Sequence, residues 1–467
     1  MQETLNRLDD LRDQHLADLL ELLRIASVSA DPAFQGEVRR AADWVAAKFR
    51  GMGLSVTVVP TERHPLVFAS SPPVSGKPTV LVYGHYDVQP PDPLDEWITP
   101  PFEPAIRDGN VVARGATDDK GQMLTHVLSA EAWLKSAGQL PVQLKFVIEG
   151  EEEVGSESLY HALDSTDRAV DGMTVAEWMK CDVAVISDSS QFAPGVPAVT
   201  YGLRGIAYYE LRLTGPKQDL HSGVFGGAVT NPCLALAQML AALKDERGRV
   251  MVPGFYDDVL PLSDAERQEF ASLDFSEEKF RRQLDVEATT GEEGFTTLER
   301  RWARPSCDVH GLWGGYQKEG AKTVLPAKAG AKFSFRLVPN QDPQKISASL
   351  EKFLRSILPP GIRMELIDMH GAPGCVVPID SPYMSAARAA IETGFGKRAV
   401  FIREGGSIPI VGAFKQRLGM DTLLLGWGLD DDNTHSPNEK FHLADFYRGI
   451  RASAALWSEL AKVTPGK

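Results

Sequence analysis

Histidine and carboxylate side chains follow several apolar runs in this sequence, and their types and spacing could hold metal ions. His85 and Asp87 stand two residues apart at the end of the apolar run 79–83, which is typical of a β-strand. An imidazole and a carboxylate at the carboxyl end of a strand can serve as a metal ligand and the partner that orients its ring. A buried histidine held by a neighbouring aspartate is also a common structural pair, so both interpretations stay open at this point.

Three further stretches place carboxylates directly after a predicted strand. They are Asp118 and Asp119 after 111–114, Glu151, Glu152 and Glu153 after 142–148, and Asp188 after 181–187. Either aspartate of the first pair could cap the helix predicted at 121–136, and an acidic triplet is usually a solvated surface. A cap needs only one acid, however, and chance does not readily place acids at every one of these junctions. We therefore favour a metal site in which one glutamate ligates a metal ion and another acts as general base.

The composition is that of an acidic globular protein. The 467 residues carry a net charge of −14, with 43% hydrophobic and 24% charged residues. Nucleic acid and anionic membranes require basic patches, so we expect neither as a partner. The first 30 residues lack the pattern of a signal peptide, and no apolar run reaches the length of a membrane span. The four cysteines lie far apart with no Cys-x-x-Cys pair, which predicts reduced thiols in a cytoplasmic protein and argues against a cysteine-based zinc site.

The order of predicted elements indicates two domains, one of them inserted into the other. Strands and helices alternate up to about residue 200, and the composition changes near Tyr201. The pattern of residues 201–380 then predicts a small α+β domain, and the alternation of strands and helices seen in the first part resumes at 381. We predict a catalytic domain in two parts, 1–200 and 381–467, separated by the inserted domain 201–380. Within the insertion, 245–305 is acidic and predicted to be mostly helical, with no chemistry that we can assign.

The junctions described above resemble, in order and spacing, those of the M20 metallopeptidases, a two-metal group of aminoacylases, carboxypeptidases and dipeptidases. The matching strings are 83–87, 114–121, 149–156, 186–188 and 434–436. Three more strings are most similar to the carnosinase and cytosolic nonspecific dipeptidase branch of that family: 219–223, 335–340 and 403–409. Each string alone is modest evidence, but together they run essentially from one end of the chain to the other.

The resemblance implies an α/β fold and a dinuclear metal centre. The expected fold is a zinc-peptidase-like catalytic domain, with a mixed sheet flanked by helices, plus an inserted α+β lid and dimerisation domain. Two divalent ions are expected, zinc or manganese, with cobalt as an alternative. One ion would be held by His85, Asp188 and a bridging Asp118, and the other by Glu153, His435 and the same Asp118. Family members often carry a cis peptide after the bridging aspartate, and we expect one here.

The resemblance also implies roles for residues around the metals. Asp87 would orient His85 without touching an ion, and Glu152 would be the general base. His221 would stabilise the tetrahedral oxyanion, usually from the partner subunit in this family, and Arg336 would hold the free carboxylate of the substrate. On residue type alone, Arg336 could also form a structural ion pair and His221 could be an ordinary loop histidine. Further substrate-site candidates are His370, Ser407 and Thr323.

The predicted function is a metal-dependent dipeptidase that acts on dipeptides with a free C-terminal carboxylate. Two ions can share a hydroxide, which would attack the peptide bond with Glu152 as base. Two histidines and three carboxylates suit Zn²⁺, Mn²⁺ or Co²⁺ better than a metal that prefers thiolates. The expected partners are small peptides and a second copy of the chain, in a homodimer formed through the inserted domain. Alternatives are an N-acyl-amino-acid deacylase or carboxypeptidase of the same family, and a non-catalytic peptide-binding protein, which is disfavoured because no ligand or base position is lost.

Overall fold

The computed structural model describes residues 1–406 and 408–464. The chain forms two compact units. The first consists of Met1–Tyr201, Val377–Ile402 and Ala413–Lys467, and the second of Gly202–Val376 and Arg403–Gly412.

One segment departs from the expected division, because the sequence places 403–412 in the catalytic domain, whereas this segment groups with the second unit. Its contacts explain the difference. The Arg204 side chain donates from Nε to the carbonyl oxygen of Gly405 over 3.0 Å, and Arg403 forms an ion pair with Glu266. These contacts group 403–412 with the second unit, whereas the division expected from the sequence places the whole chain after 381 in the catalytic domain.

Helices and strands are numbered separately in chain order. The helices are α1 (Gln2–Asp10), α2 (Arg12–Leu23), α3 (Gln35–Gly51), α4 (Lys120–Ala137), α5 (Glu157–Asp164), α6 (Val175–Met179), α7 (Ser222–Phe225), α8 (Pro232–Ala241), α9 (Asp264–Ser272), α10 (Glu277–Gln283), α11 (Thr297–Trp302), α12 (Pro343–Ser356), α13 (Pro382–Phe395), α14 (Pro409–Ala413) and α15 (Leu443–Leu460). The strands are β1 (Ser55–Val59), β2 (Leu66–Ser70), β3 (Thr79–His85), β4 (Ala105–Arg107), β5 (Asn110–Val112), β6 (Gln143–Glu149), β7 (Val183–Ile186), β8 (Ala198–Leu203), β9 (Gly205–Thr214), β10 (Leu220–His221), β11 (Ser306–Gly314), β12 (Val324–Leu325), β13 (Lys328–Leu337), β14 (Arg363–Ala372), β15 (Cys375–Val376), β16 (Val400–Glu404), β17 (Thr422–Leu424) and β18 (Lys440–His442).

The first unit is built on a mixed sheet flanked by helices, as predicted. Its strands follow the order β1-β2-β6-β3-β7-β17-β8. Strands β6, β3, β7 and β17 are parallel neighbours, while β1, β2 and β8 run antiparallel to theirs. The central strands β3 and β7 are almost continuously apolar and buried, which is typical of parallel strands covered by helices. Helix α3 packs on β1 and β2, and α4 packs on β3.

A small antiparallel sheet of β4, β5 and β18 stands apart from the central sheet. The sequence predicts a strand at 111–114, and the structure has one at β5, but this strand pairs with β4 and β18. Its pairing with β18 joins two segments that are far apart in sequence. The segment that ends in Asp118 is thereby brought next to the segment that contains His435.

The second unit has an α+β fold, as predicted. An antiparallel sheet in the order β11-β13-β9-β14 places one face of β9 and β13 in a core that includes Tyr209, Leu211, Phe333 and Phe335. Side chains along β9 alternate between buried and more exposed positions, because only one face of the sheet is covered. Helices α8 and α12 pack on this sheet. The prediction that 245–305 is mostly helical is wrong, since α9, α10 and α11 account for only part of it.

Across the described residues, no helix combines the length and the apolar character needed to span a membrane.

Candidate metal centre

The carboxyl ends of three parallel strands meet at one edge of the central sheet. His85 ends β3, opposite Glu149 at the end of the neighbouring β6. Asp188 lies two residues past the end of β7, which is the other neighbour of β3. Glu152 and the residue after it belong to a short 3₁₀ helix, Glu152–Val154, that follows β6. The parallel order therefore collects these side chains at the sheet edge where α/β proteins bind ligands.

Asp118 reaches the same place from the loop that precedes α4. The peptide bond between Asp118 and Asp119 is cis, which confirms that prediction. Asp119 occupies the N-cap position of α4, but its side chain makes no capping hydrogen bond, so the cap interpretation is wrong. Its Oδ2 instead accepts from the backbone N–H of His85 over 3.3 Å. The second aspartate thus contacts the strand end that carries the first predicted ligand.

The structure brings together the five predicted ligands in two groups of three. His85, Asp118 and Asp188 offer donor atoms within 4.8 Å of one another, and so do Asp118, Glu153 and His435. Asp118 belongs to both groups. Its Oδ1 lies 3.2 Å from His85 Nε2, and its Oδ2 lies 2.9 Å from His435 Nε2. One carboxylate with an oxygen in each group is the arrangement needed to bridge two metal ions.

Asp87 lies beside the opposite side of the His85 ring. His85 Nδ1 is 3.1 Å from the backbone oxygen of Asp87 and 3.3 Å from its Oδ1. Asp87 Oδ2 accepts from the backbone N–H of Glu153 over 3.2 Å. With the hydrogen of neutral His85 on Nδ1, the lone pair of Nε2 is available to a cation. Consistent with this, buried Nε2 has no partner with hydrogen-bond geometry, although Asp118 Oδ1 is close by.

The electrostatics of the cluster also fit two divalent cations. Burial raises the pKa of Asp188 to about 7, and Asp118 adds to this effect. Burial likewise raises the pKa of Glu152 well above its usual range, against the opposing effect of His85. Hydrogen bonds to Asp118 and Glu153 raise the pKa of His435 to about 10. So many buried carboxylates need more positive charge than two imidazoles supply, and metal ions bound to oxygen and nitrogen ligands would provide it.

Two of the other predicted residues lie close together in the second unit. The short strands β10 and β12 pair His221 with Val324, and the backbone N–H of Ser222 donates to the carbonyl oxygen of Thr323 over 3.1 Å. His221 is exposed, and its Nδ1 accepts from the backbone N–H of Gly223 over 3.0 Å. In neutral His221 the hydrogen therefore sits on Nε2, where it can be donated to an oxygen atom.

Arg336 and His370 share one face of the second unit's sheet. Arg336 on β13 pairs with Ile206, and His370 on β14 pairs with Tyr208 two residues further along β9. The His370 ring stacks on Tyr208 with centroids 5.2 Å apart. Burial lowers the pKa of Arg336, and burial also lowers the pKa of His370. The remaining candidate, Ser407, lies outside the described residues.

Sequence reasoning missed three residues that contact a candidate ligand or the loops that carry the candidate ligands. Gln89 donates from Nε2 to Glu153 Oε2 over 2.8 Å, and Thr117 and Glu439 connect the loops that carry Asp118 and the last histidine ligand. Gln89 lies in a proline-rich loop without a recognisable pattern. Glu439 has no distinctive signal either, because three of its four donors are backbone N–H groups, which any segment of the chain offers.

The chain resembles known peptidases along nearly its whole length. The pattern of Peptidase family M20/M25/M40 matches residues 81–459. Cys-Gly metallodipeptidase DUG1 of Saccharomyces cerevisiae is 34% identical over 469 residues, covering 96% of this chain and 96% of the relative. Beta-Ala-His dipeptidase of Homo sapiens is 33% identical over 447 residues, covering 95% of this chain and 86% of the relative. The solved structure of the dipeptidase Dug1p from Saccharomyces cerevisiae has a TM-score of 0.82 at 31% identity and covers 99% of this chain and 98% of that one.

The matched range also contains the whole candidate centre. Both ligand groups, from His85 to His435, fall within residues 81–459. Fold, sequence pattern and the two ligand groups thus lead to the same conclusion. The chain belongs to peptidase family M20/M25/M40.

Proposed function

We propose that this protein is a metal-dependent dipeptidase that hydrolyses dipeptides with a free C-terminal carboxylate. The observation that carries the proposal is the pair of ligand groups that share Asp118. The dipeptidase names of relatives aligned along nearly the whole chain support the choice of substrate class.

The metal ions are proposed to be zinc or manganese, with cobalt as an alternative. His85, Asp118 and Asp188 would hold one ion, and Asp118, Glu153 and His435 the other. Imidazole and carboxylate ligands suit all three metals. Two bound divalent ions lower the pKa of water toward about 7 and polarise the peptide carbonyl group.

Glu152 is the proposed general base. It immediately precedes the ligand Glu153 in the 3₁₀ helix after β6, and burial raises its pKa well above the usual range. A carboxylate with a raised pKa accepts a proton from water more readily and can then deliver it to the leaving amine. Asp87 keeps the His85 ring oriented through the contacts at Nδ1. Glu152 is thus proposed to transfer a proton and Asp87 to orient a ligand. Neither is proposed to bind metal.

Residues of the second unit are proposed to recognise the substrate. Arg336 offers a planar guanidinium that can bind a carboxylate through two parallel hydrogen bonds, which suits a free C-terminus. His221, with the hydrogen on Nε2, can donate to the developing oxyanion. His370, Ser407 and Thr323 are further candidates for substrate contacts.

We also propose a homodimer formed through the second unit, and a cytoplasmic location. In the described part of the chain β11 ends the four-stranded sheet, and it exposes Val309 and Leu312, which are 45% and 62% accessible. An apolar strand at a sheet edge favours association with another chain. A cytoplasmic location is supported by the four cysteines, which form no disulfide with one another in the structure.

Replacement of Glu152 tests the mechanism. Glu152→Gln keeps the shape of the side chain but removes its ability to accept a proton, so kcat should fall roughly 100- to 10,000-fold while two metal ions per chain are retained. Metal content is measured by elemental analysis and kcat with a dipeptide substrate. Glu157→Gln, at an exposed position five residues away, is the control and should retain full activity. Turnover near the parent value in fully metallated Glu152→Gln would reject this base.

A substrate panel tests the reaction class. Metal-stripped protein is supplied with Zn²⁺, Mn²⁺ or Co²⁺ and offered free dipeptides, N-acylated amino acids and longer peptides. We expect hydrolysis of free dipeptides and little turnover of the other two classes. Preference for N-acylated amino acids would identify a deacylase, preference for longer peptides a carboxypeptidase, and bound metal without any turnover a peptide-binding protein.

A further inference from the structure

Glu439 is a fully buried carboxylate whose two oxygens are both engaged by one short segment. Its Oε1 accepts from the backbone N–H groups of Thr117 and Asp118, over 3.0 and 3.1 Å. Its Oε2 accepts from the backbone N–H of Gly115 over 3.0 Å and from Arg114 Nη1 over 2.7 Å. A single carboxylate thus fixes the backbone of the loop that ends in the shared aspartate.

Further contacts connect the same two parts of the chain. Strands β5 and β18 pair side by side, and the backbone N–H of Ala113 donates to the carbonyl oxygen of Glu439 over 3.0 Å. The Thr117 hydroxyl lies 2.7 Å from the carbonyl oxygen of Lys440 and 3.0 Å from Asp432 Oδ2. The loop before α4 and the loop before β18 are therefore held to each other by side chains as well as by strand pairing.

Each of these loops carries one ligand of the same candidate metal ion. Asp118 lies at the end of the first loop, and His435 lies four residues before Glu439 in the second. Asp118 Oδ2 and His435 Nε2 are 2.9 Å apart. We propose that Glu439 is a positioning residue that sets the spacing of Asp118 and His435. It thereby determines how tightly Asp118, His435 and Glu153 bind their metal ion. The inference rests on the ligand roles in the proposed function.

Electrostatics and geometry both support a role beyond general stability. Three of the four donors to Glu439 are backbone N–H groups at or just before Asp118, so a change at Glu439 moves that ligand directly. Arg114, itself buried, balances the carboxylate charge. Residues that orient metal ligands change metal affinity by roughly 10- to 100-fold when replaced.

Glu439→Gln is the variant of choice because it preserves size while breaking the contact on one side. The amide can present only one oxygen, so its NH₂ group must face either the pair Thr117 and Asp118 or the pair Gly115 and Arg114. In either orientation the NH₂ group faces N–H groups that also donate, so no hydrogen bond forms on that side and the loop shifts. Thr117→Val is a second variant, which removes the hydroxyl contacts to Lys440 and Asp432 but leaves Glu439 intact.

Glu292→Gln serves as a matched control. Glu292 is also a buried carboxylate that binds an arginine, because Arg304 donates to both of its oxygens over 2.7 and 2.8 Å. It belongs to the second unit, whereas every residue of the two ligand groups belongs to the first. The same chemical change there tests the general cost of losing a buried carboxylate.

The experiment is a chelator-competition titration of the full chain with Zn²⁺, accompanied by circular dichroism to measure the folded fraction. The parent and Glu292→Gln should bind two ions per chain with matching affinities. Glu439→Gln should weaken one binding step by roughly 10- to 100-fold and the other less, and Thr117→Val should weaken the same step by a smaller factor.

Two outcomes would overturn the inference, and they are distinguishable. A parent protein that binds fewer than two ions rejects the proposed metal centre and this inference with it. Two ions bound with parental affinity by folded Glu439→Gln and by Thr117→Val reject the positioning role alone. If Glu439→Gln does not fold, Thr117→Val decides the question, with unchanged affinity in that variant counting against the role.

Discussion

Arg336 is the residue on which the proposed choice of substrate depends most directly. Arg336→Lys keeps the positive charge but loses the planar pair of donors, so kcat/KM for a dipeptide should fall about 10- to 100-fold, mainly through KM. A dipeptide with an amidated C-terminus lacks the carboxylate and should be affected far less by the substitution. Steady-state kinetics with both substrates measure the difference.

The control for Arg336→Lys is Arg212→Lys on β9 of the same sheet. Arg212 is 46% accessible and pairs with Glu210, so its replacement should leave both kinetic constants near their parental values. An equal loss of activity toward free and amidated dipeptides in Arg336→Lys would contradict carboxylate recognition.

His126 provides a test of pH-dependent stability at a residue that is not itself a candidate metal ligand. It is fully buried in α4, where Nε2 lies 2.8 Å from Ser187 Oγ, and burial lowers its pKa to about 3. The unfolded chain, with a histidine pKa near 6.5, binds the proton first as the pH falls. The contribution of neutral His126 to the free energy of unfolding is therefore fully present above pH 6.5. It decreases by about 2 kcal/mol between pH 6.5 and pH 5.

The measurement is urea unfolding of the parent and of His126→Gln at pH 7 and pH 5, in the presence of a chelator. The parent should lose about 2 kcal/mol more of its free energy of unfolding than the variant does over this interval. Comparing the two proteins removes the contribution of the other titrating groups, which they share. Identical pH dependence would mean that His126 is not kept neutral by the fold.

Residue types reveal ligands more readily than they reveal the groups that position them. His85, Asp118 and His435 stand out as candidate ligands because few side chains bind divalent ions, and the strings around them are distinctive. Glu439 does not stand out, because three of its four donors are backbone N–H groups and any segment of the chain offers those. Asp119 shows the reverse error, since an acid before a helix suggests a cap that the structure does not contain.

At the level of elements, Gly121 in the first turn of α4 sets how closely that helix approaches the Asp118 loop. A Cβ atom at Gly121 would lie 1.9 Å from the carbonyl oxygen of Ala116 and 2.7 Å from the Phe441 ring. Moving the backbone to make room for this Cβ atom costs free energy. Gly121→Ala should therefore destabilise the protein by about 1–3 kcal/mol and reduce activity by displacing the loop. Thermal unfolding and kcat are the measurements.

Gly36→Ala is the matched control for Gly121→Ala. Gly36 lies in helix α3, and a methyl group added there would have no atom within 4 Å. The substitution should therefore leave activity unchanged and raise stability by about 0.5–1 kcal/mol. Equal stability of Gly121→Ala and the parent would show that the loop before α4 adjusts more freely than its packing indicates.

Local sequence patterns predict individual strands better than they predict which strands pair with one another. The strands that end at His85 and before Asp188 are recognisable as apolar runs, and their burial on both faces is typical of parallel strands. The short β5 was recognisable as a strand, but nothing near it in sequence indicates that it pairs with β18, which lies more than 300 residues away along the chain. The arrangement of the Asp118 loop against the His435 loop depends on that distant pairing.

Over the whole molecule, the inserted unit separates the candidate ligands in sequence but holds none of them. His85, Asp118, Glu153 and Asp188 come from the first segment of the first unit, and His435 comes from its last segment. The same order is expected from the sequence, because the chain order of strands and helices is visible in its patterns. The sequence did not predict that 403–412 belongs to the second unit, because those contacts depend on residues such as Arg204 and Glu266 far away in sequence.

Metal binding should therefore stabilise the loop that contains His435 more than other parts of the chain. Asn433, His435 and Asn438 all have positive φ angles, and the His435 side chain is 57% exposed, so local opening of this loop should cost less free energy than unfolding of the core. With Zn²⁺ at 1,000 times its dissociation constant, binding contributes about 4 kcal/mol, and amides at 433–438 should exchange with deuterium up to about 1,000-fold more slowly. Hydrogen-exchange mass spectrometry of the parent and of His435→Ala, with Zn²⁺ or with a chelator, measures this. His435→Ala should lose most of the slowing, whereas slowing in β9 and β13 without any at 433–438 would contradict the ligand role of His435.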